Sequence, residues 1–242
     1  MSMKEFNALD GALLIDKPAG PTSHDIVDTV RQCYRIKKVG HCGTLDPAAT
    51  GLLTLLLGKA TKLSEKMMSD DKVYVGSMKL GETTNTFDAE GDIDETKPVP
   101  SLTLEALQEK ANDFLGDQLQ LPPMVSAIKI DGTPLYKLAR KGIEVERRKR
   151  FIHLYNFQIT EYEPPFAWFK VACTKGTYVR TLAHDLGQAL GCGAHLAGLR
   201  RTVSGKFKVS AATPLEELTT LSPDDLARCV VPMLQLSAAT ES

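Results

Sequence analysis

Hydrophobic and polar positions alternate along the chain in a way that predicts short strands mixed with amphipathic helices. Residues 11–15 (G-A-L-L-I) form an apolar strand that stops at Asp16-Lys17-Pro18. Thr22-Ser23-His24-Asp25 has the form of a capping box, and Ile26, Val27, Val30 and Tyr34 follow at helical spacing, which predicts a helix over 23–34. Residues 52–57 are an unbroken apolar run, a short buried element, and 59–68 suit a short helix. Residues 73–80 read as a strand with Val73, Val75 and Met78 toward the core and Tyr74 opposite Val73 and Val75. Residues 83–100 are polar, acidic and rich in turn formers, so an exposed loop is expected. Leu104, Leu107, Ala111, Phe114 and Leu115 predict a helix over 103–115, ended by Gly116.

Further on, residues 121–150 are basic and weakly apolar, with a hairpin turn at Asp131-Gly132 and one or two helical turns over 136–140. This stretch reads as an insertion. Strands follow over 151–162 and 167–174, joined by Glu163-Pro164-Pro165. Gly176-Thr177 opens a helix with Val179, Leu182, Leu186 and Ala189 on its apolar face, ending at Gly191. Arg180 and His184 share another face at i, i+4, so on pattern alone Arg180 is a surface arginine. Thr213-Pro214-Leu215-Glu216 and Ser222-Pro223-Asp224-Asp225 are two further capping boxes with proline at the first helical position. The end of the chain, 237–242, is small and polar and is expected to fray.

The longest apolar run, 52–57, is far too short to span a bilayer, and the first residues lack the apolar core of a signal peptide. Five cysteines without a CxxC pair point to reduced thiols and a cytoplasmic protein. Cys192 and His195 have no second ligand pair at suitable spacing, so no metal is expected. The net charge of −1 does not announce a nucleic-acid partner, but its distribution says more. Residues 129–150 hold eight basic and three acidic residues, whereas 81–105 hold seven acidic residues and one lysine. One face suited to phosphates is implied, although the run Arg147, Arg148, Lys149, Arg150 is equally a solvated loop when taken alone.

Candidate chemistry centres on residues 40–58, G-H-C-G-T-L-D-P-A-A-T-G-L-L-T-L-L-L-G. The glycines and the Asp-Pro pair make residues 41–47 a loop, with Asp46 on a tight turn near His41. An isolated Asp-Pro is most simply an Asx-turn. The whole string, however, resembles the signature around the catalytic aspartate of the TruB family of tRNA pseudouridine synthases. Other stretches resemble that family in order: D-K-P-A-G-P-T-S at 16–23, Lys72-Val73-Tyr74 as K-x-Y, and 80–88 as G-x-x-T-x-T-x-D. So do P-P-M-V-S-A-I-K-I-D-G-T-P-L-Y-K-L-A-R at 122–140, K-G-T-Y-V-R-T-L at 175–182 and Leu199-Arg200-Arg201-Thr202.

The resemblance implies an α+β fold, with a large, mostly antiparallel mixed sheet flanked by helices and loops. A single catalytic domain over 1–236 is expected, with 121–150 as a thumb-like RNA-gripping insertion and no separate C-terminal RNA-binding domain. It implies isomerisation of uridine 55 in the T stem-loop of tRNA by a cytoplasmic monomer that needs no cofactor and no protein partner. Asp46 aligns with the catalytic aspartate, Arg180 with the arginine that pairs with it, and Tyr74 with the tyrosine that stacks on the flipped base and is a proposed C5 base. Tyr178 corresponds to a residue holding the target nucleotide, His41 to the histidine that fills the RNA loop left by the flipped base, and Leu199 to an apolar wall. Lys129, Arg140, Arg147, Arg148, Lys149 and Arg150 are candidate RNA contacts. Competing readings are a guide-RNA-dependent synthase sharing the Asp46 loop, a non-catalytic RNA-folding module and, more distantly, a hydrolase with Asp46 as nucleophile.

Overall fold

The computed structural model describes residues 9–126, 128–130 and 132–237, and these divide into two compact units. One is built from the residues up to Lys72 together with those from Arg200 on; the other is Val73–Leu199. Among expected features, Asp131, the side chain of Lys129 and the tail residues 238–242 lie outside the described residues.

Strand β1 (Gly11–Lys17) runs two residues beyond the expected stop, because Asp16 and Lys17 still pair with the neighbouring strand. Thr22 caps α1 (Ser23–Tyr34): its side chain accepts the Asp25 N–H, and the Asp25 carboxylate accepts the Thr22 N–H at 2.8 Å. Such a cap stabilises a helix by about 1 kcal/mol. Ile26, Val27 and Val30 are buried on the predicted face. After β2 (Val39–His41) and the Asp46 turn, β3 (Thr50–Leu57) is buried along nearly its whole length, as an uninterrupted apolar run requires. A 3-10 segment over Gly58–Leu63 leads into α2 (Ser64–Met68).

Strand β4 (Lys72–Leu80) inverts the expected facing: Tyr74, Met78 and Leu80 are buried, while Val75 is 36% exposed. Val75 is therefore not a core residue, and alternation places Tyr74 with Met78. The expected loop over 83–100 is partly ordered and inward, since β5 (Glu82–Thr84) pairs with β6 (Ile93–Thr96) and Thr83 and Thr84 are buried. Thr103 caps α3 (Leu104–Asn112), which stops before the predicted end. Gly116, at φ +82°, opens β7 (Gly116–Gln120). In the insertion, β8 (Lys129–Ile130) pairs antiparallel with β9 (Thr133–Pro134), and α4 (Leu135–Ala139) follows. Then come β10 (Arg150–Glu163), β11 (Phe166–Cys173), α5 (Val179–Ala189) and β12 (Ala194–Ser204).

The chain closes with β13 (Phe207–Lys208), β14 (Thr213–Pro214), α6 (Leu215–Leu218), α7 (Pro223–Cys229), β15 (Val230–Pro232) and α8 (Met233–Ser237). Ser222 caps α7 as predicted. Thr213 does not cap α6, because it pairs with Ile15 as a strand residue, and Pro214 becomes the N-cap.

Within the first unit the strand order is β14-β1-β3-β12, with β2 beside β3 and β15 beside β1. In the second it is β12-β4-β11-β10-β7. Antiparallel pairs predominate, with β1–β14 and β3–β12 parallel. The α+β class and the large mixed sheet match the expectation.

Candidate functional site

The Asp46 turn belongs to the first unit and is fixed from both ends. Strands β2 and β3 pair antiparallel, His41 with Leu55, and the Cys42 N–H donates to Thr54 O at 2.9 Å. The turn closes through its main chain, Ala49 N–H to Asp46 O at 3.1 Å. Two cations then pin its carbonyls. Lys17, fully buried, donates from Nζ to Pro18 O (2.9 Å), Pro47 O (3.0 Å) and Ala49 O (2.8 Å). Arg201, 1% exposed, donates from Nε to Leu52 O at 2.7 Å, from Nη2 to Gly43 O at 3.1 Å and from Nη1 to Thr44 O at 3.4 Å. Ser23 adds a reciprocal pair with Leu45. Hydrogen bonds to charged groups are worth roughly 1.5–3 kcal/mol each, which offsets the desolvation of a buried cation. Gly51 must be glycine: its φ is +97°, and a Cβ there would lie 2.3 Å from Arg201 O.

His41 is half-buried, and burial, seconded by the Arg201 charge, holds its pKa below the usual histidine value. Its Nδ1 is buried without a hydrogen-bond partner. The imidazole at this position is therefore neutral near pH 7. Burial pushes the neighbouring Cys42 thiol up to about 12, so this cysteine is no nucleophile. Behind the turn, Arg200 grips Asp16 with both nitrogens, at 2.9 and 2.6 Å.

In the second unit the organising residue is Arg180. It is 4% exposed, not a surface arginine, because α5 also buries Val179, Thr181, Leu182, Ala183, Leu186 and Gly187 and is covered around most of its circumference. Its Nη1 donates to Asp88 Oδ2 at 3.1 Å and its Nη2 to Val125 O at 2.8 Å. Asp88 is itself held: Oδ1 accepts from the Thr86 hydroxyl (2.6 Å) and the Glu90 N–H (3.1 Å), and Thr84 Oγ1 donates to its carbonyl (2.7 Å). The G-x-x-T-x-T-x-D pattern is thus a device for presenting one carboxylate. Between its last threonine and the aspartate, Phe87 has φ +66°. A bulky side chain in that region costs on the order of 1–3 kcal/mol. Its ring stacks on His184 with centroids 3.9 Å apart and planes 19° from parallel.

Tyr178 is the N-cap of α5, and Gln120 clamps its backbone, accepting its N–H (2.8 Å) and donating to its carbonyl (3.1 Å). Tyr74, 8% exposed, and the half-buried Leu199 lie on the adjacent strands β4 and β12. These strands approach closely at Gly76, where a Cβ would lie 2.5 Å from Gly198 O.

The basic insertion separates its cations. Arg148, Lys149, Arg150 and Arg140 are exposed, Arg140 lying over the Tyr136 ring at 5.6 Å. Arg147 is only 15% exposed and donates to Pro122 O (3.1 Å) and Glu144 (3.2 Å), tying the end of the insertion to its start. Nearby on α5, burial raises Asp185 to about 6, with Lys149 pulling the other way. His195 is occupied structurally, its Nδ1 3.2 Å from Glu82 O. Among the described residues no three His, Cys, Asp or Glu side chains group as metal ligands, and no helix is long and apolar enough to cross a membrane.

Sequence reasoning assigned no role to Lys17, Arg201, Asp88 or Gln120. The first three stand inside recognisable motifs, which was their available signal; Gln120 had none.

Known proteins resemble this chain over most of its length. The description "TruB family pseudouridylate synthase (N terminal domain)" matches residues 31–179, and "tRNA pseudouridylate synthase B C-terminal domain" matches 180–236. The chain is 52% identical over 227 residues to tRNA pseudouridine synthase B of Opitutus terrae, covering 94% of each chain. It is 43% identical over 248 residues to the protein of that name from Haemophilus influenzae, covering 97% of this chain and 79% of the relative. Among solved structures, a chain of a Cbf5-Nop10-Gar1 complex is similar with a TM-score of 0.74 at 30% identity, over 93% of this chain. A chain of an H/ACA RNP bound to a substrate RNA containing 2'-deoxyuridine gives a TM-score of 0.70 at 27% identity. This chain spans 61% and 60% of those two solved chains. With more than half its length matched by the N-terminal description and the Opitutus terrae relative aligned over 94% of both chains, the chain belongs to the TruB family of pseudouridylate synthases.

Proposed function

We propose that this chain is a tRNA pseudouridine synthase that isomerises uridine 55 of the T loop, with Asp46, Tyr74 and Arg180 as its catalytic residues. The names of its relatives supply the tRNA substrate. The observation that carries the site assignment is the Asp46 turn, whose carbonyls are pinned by two buried cations. Structure of this kind is what a reacting carboxylate needs, since small misplacements cost large factors in rate.

In the reaction the uracil leaves C1′ of its ribose, turns, and rejoins through C5; C5 loses one proton and N1, freed from the ribose, gains one. No electrons or phosphate groups are exchanged, so the chemistry calls for no cofactor. Asp46 supplies the carboxylate at the ribose and base. Arg180 supplies a fixed positive charge, pre-oriented by Asp88. The target base must be unstacked, and Tyr74 provides a flat face for it and a hydroxyl for the C5 proton. Tyr178, on its Gln120 clamp, and Leu199 line the nucleotide. His41 fills the space the base vacates, a role to which an uncharged imidazole is suited. Lys129, Arg140, Arg148, Lys149 and Arg150 meet phosphates, while Arg147 keeps the insertion in shape. On this reading the chain acts as a cytoplasmic monomer without a protein partner.

The deciding experiment incubates the purified chain alone with an unmodified tRNA transcript, labels pseudouridine with a carbodiimide and maps reverse-transcription stops. A stop at position 55 is expected. Product that forms only when a guide RNA is added would overturn the proposal in favour of a guide-dependent synthase.

A further inference from the structure

We infer that Phe87 and His184 are positioning residues for the reaction: their stacked rings form a buttress that sets the Asp88–Arg180 pair. The inference rests on the catalytic role proposed for Arg180. Its basis is a double contact. Arg180 and His184 lie one turn apart on α5, and they meet two consecutive residues, Asp88 and Phe87, of the loop between β5 and β6. One contact is an ion pair and the other a ring stack, so the loop has two adjoining points of attachment to the helix.

The backbone conformation at Phe87 gives the second argument. A left-handed φ of +66° is readily adopted by glycine or asparagine but opposed in an aromatic residue. The chain nevertheless carries a phenylalanine there, and the ring is used, lying 3.9 Å from His184 in near-parallel stacking. Main-chain bonds flank the same residue: Phe87 N–H donates to Thr84 O (3.1 Å), and Phe87 O accepts from Leu196 N–H (2.9 Å). The left-handed turn between them directs the next side chain, Asp88, onto Arg180. An observed backbone outlier beside a functional group is the situation in which strain serves pre-organisation.

The third argument is His184 itself. Its Nδ1 is buried without a hydrogen-bond partner, so that nitrogen does not set the ring's orientation; contact with Phe87 does. Burial also lowers its pKa, against a smaller opposing effect of Asp94, which keeps the ring uncharged one turn from Arg180.

The test uses His184→Phe, His184→Leu, His184→Ala, Phe87→Tyr and Phe87→Gly in the full chain, with Arg180→Lys alongside. Single-turnover rate, tRNA Kd and melting midpoint are measured for each, with rates compared well below the lowest midpoint. The variants that keep a flat ring, His184→Phe and Phe87→Tyr, should stay within about threefold of the parent rate. His184→Leu, His184→Ala and Phe87→Gly should lose roughly 10- to 100-fold in rate with Kd changed less than about threefold, the pattern of misplaced machinery rather than lost binding. Phe87→Gly is the sharpest arm, because it relieves the backbone while removing the ring. His184→Leu fills the same volume without a flat face, so it covers the case in which His184→Ala fails to fold. A parent-like rate for Phe87→Gly or His184→Leu would overturn the inference. A parent-like rate for Arg180→Lys would instead remove the catalytic role of Arg180, and the inference with it. A slow Arg180→Lys beside parent-like buttress variants would overturn the inference alone.

Discussion

Two aspartates of this molecule sit on tight turns, and the buried cations Lys17 and Arg201 support one turn differently from the way Arg180 holds the other. Around Asp46 the cations bind the main chain: Lys17 and Arg201 each hold three carbonyls of residues in or beside the turn. Around Asp88 the cation binds the carboxylate itself: Arg180 takes Oδ2 while Thr86 and Glu90 occupy Oδ1. A carboxylate engaged at both oxygens is committed to orienting its partner. A turn immobilised through its carbonyls is instead a platform, whose product is the placement of a side chain. The contrast is in keeping with the proposal that Asp46 does chemistry, and it adds that Asp88 positions.

The largest expected effects test that contrast directly. Asp46→Asn should remove pseudouridine formation, with a rate loss of about 10³-fold or more, because an amide neither attacks nor accepts a proton as a carboxylate does. Its melting midpoint should stay within a few degrees of the parent, since an amide fills the same space and the turn is held through its carbonyls. Asp88→Asn should instead lose both quantities. Weakening a buried charged hydrogen bond costs roughly 1–3 kcal/mol, which lowers the midpoint of a chain this size by several degrees, and a less fixed Arg180 should slow turnover about 100-fold. Carbodiimide mapping and calorimetry on both variants decide the matter. Asp46→Asn with parent turnover would remove Asp46 from the mechanism, and Asp88→Asn with parent stability would break the assignment of a positioning role.

Sequence patterns disclosed one side of this contrast far better than the other. The apolar run of β3 and the capping box of α1 were legible because burial and helix starts leave local signatures. The Asp46 loop was legible because glycine and proline exclude regular structure. Lys17 and Arg201 were not, since bonds from a buried cation to main-chain carbonyls leave no mark in the sequence. Asp88 stood inside an acidic stretch that reads as solvated, and its inward turn depends on a left-handed Phe87 that no periodicity predicts. Strand β7, G-D-Q-L-Q, carries little apolar alternation and is held by pairing with β10. Thr213 shows the converse, a helix-start signal overridden by tertiary strand pairing.

The basic insertion extends the same distinction between cations that hold structure and cations that face water. Arg147→Ala should lower the melting midpoint and leave the salt dependence of tRNA binding unchanged, because its guanidinium is spent on Pro122 O and Glu144. Replacing Arg148, Lys149 and Arg150 together by alanine should do the reverse. If all three meet phosphates, the slope of log K against log salt should fall by roughly 2–3. Titrations at several salt concentrations read this out, and an unchanged slope for the triple variant would leave the run merely solvated.

The smallest effect concerns a third aspartate with neither arrangement. Asp185, on α5, is half-buried. Burial raises its pKa from 3.8 to about 6, against the pull of Lys149. A carboxyl group whose folded pKa is raised contributes stability that is fully present below its unfolded value and lost as pH rises through the folded one. The ionised group therefore burdens the fold above about pH 6. Asp185→Asn removes the charge, so it should stabilise the protein at pH 8, and most of the gain should be gone by pH 4, close to the unfolded value of 3.8, where the folded parent side chain is itself protonated. Partial exposure lets water screen the effect, so about 1 kcal/mol is expected at pH 8, or some 2–4 °C in melting midpoint. Melting curves at the two pH values suffice. A variant less stable than the parent at pH 8 would show that attraction to Lys149 outweighs burial, and Asp185 would join Asp88 among the carboxylates held by a cation.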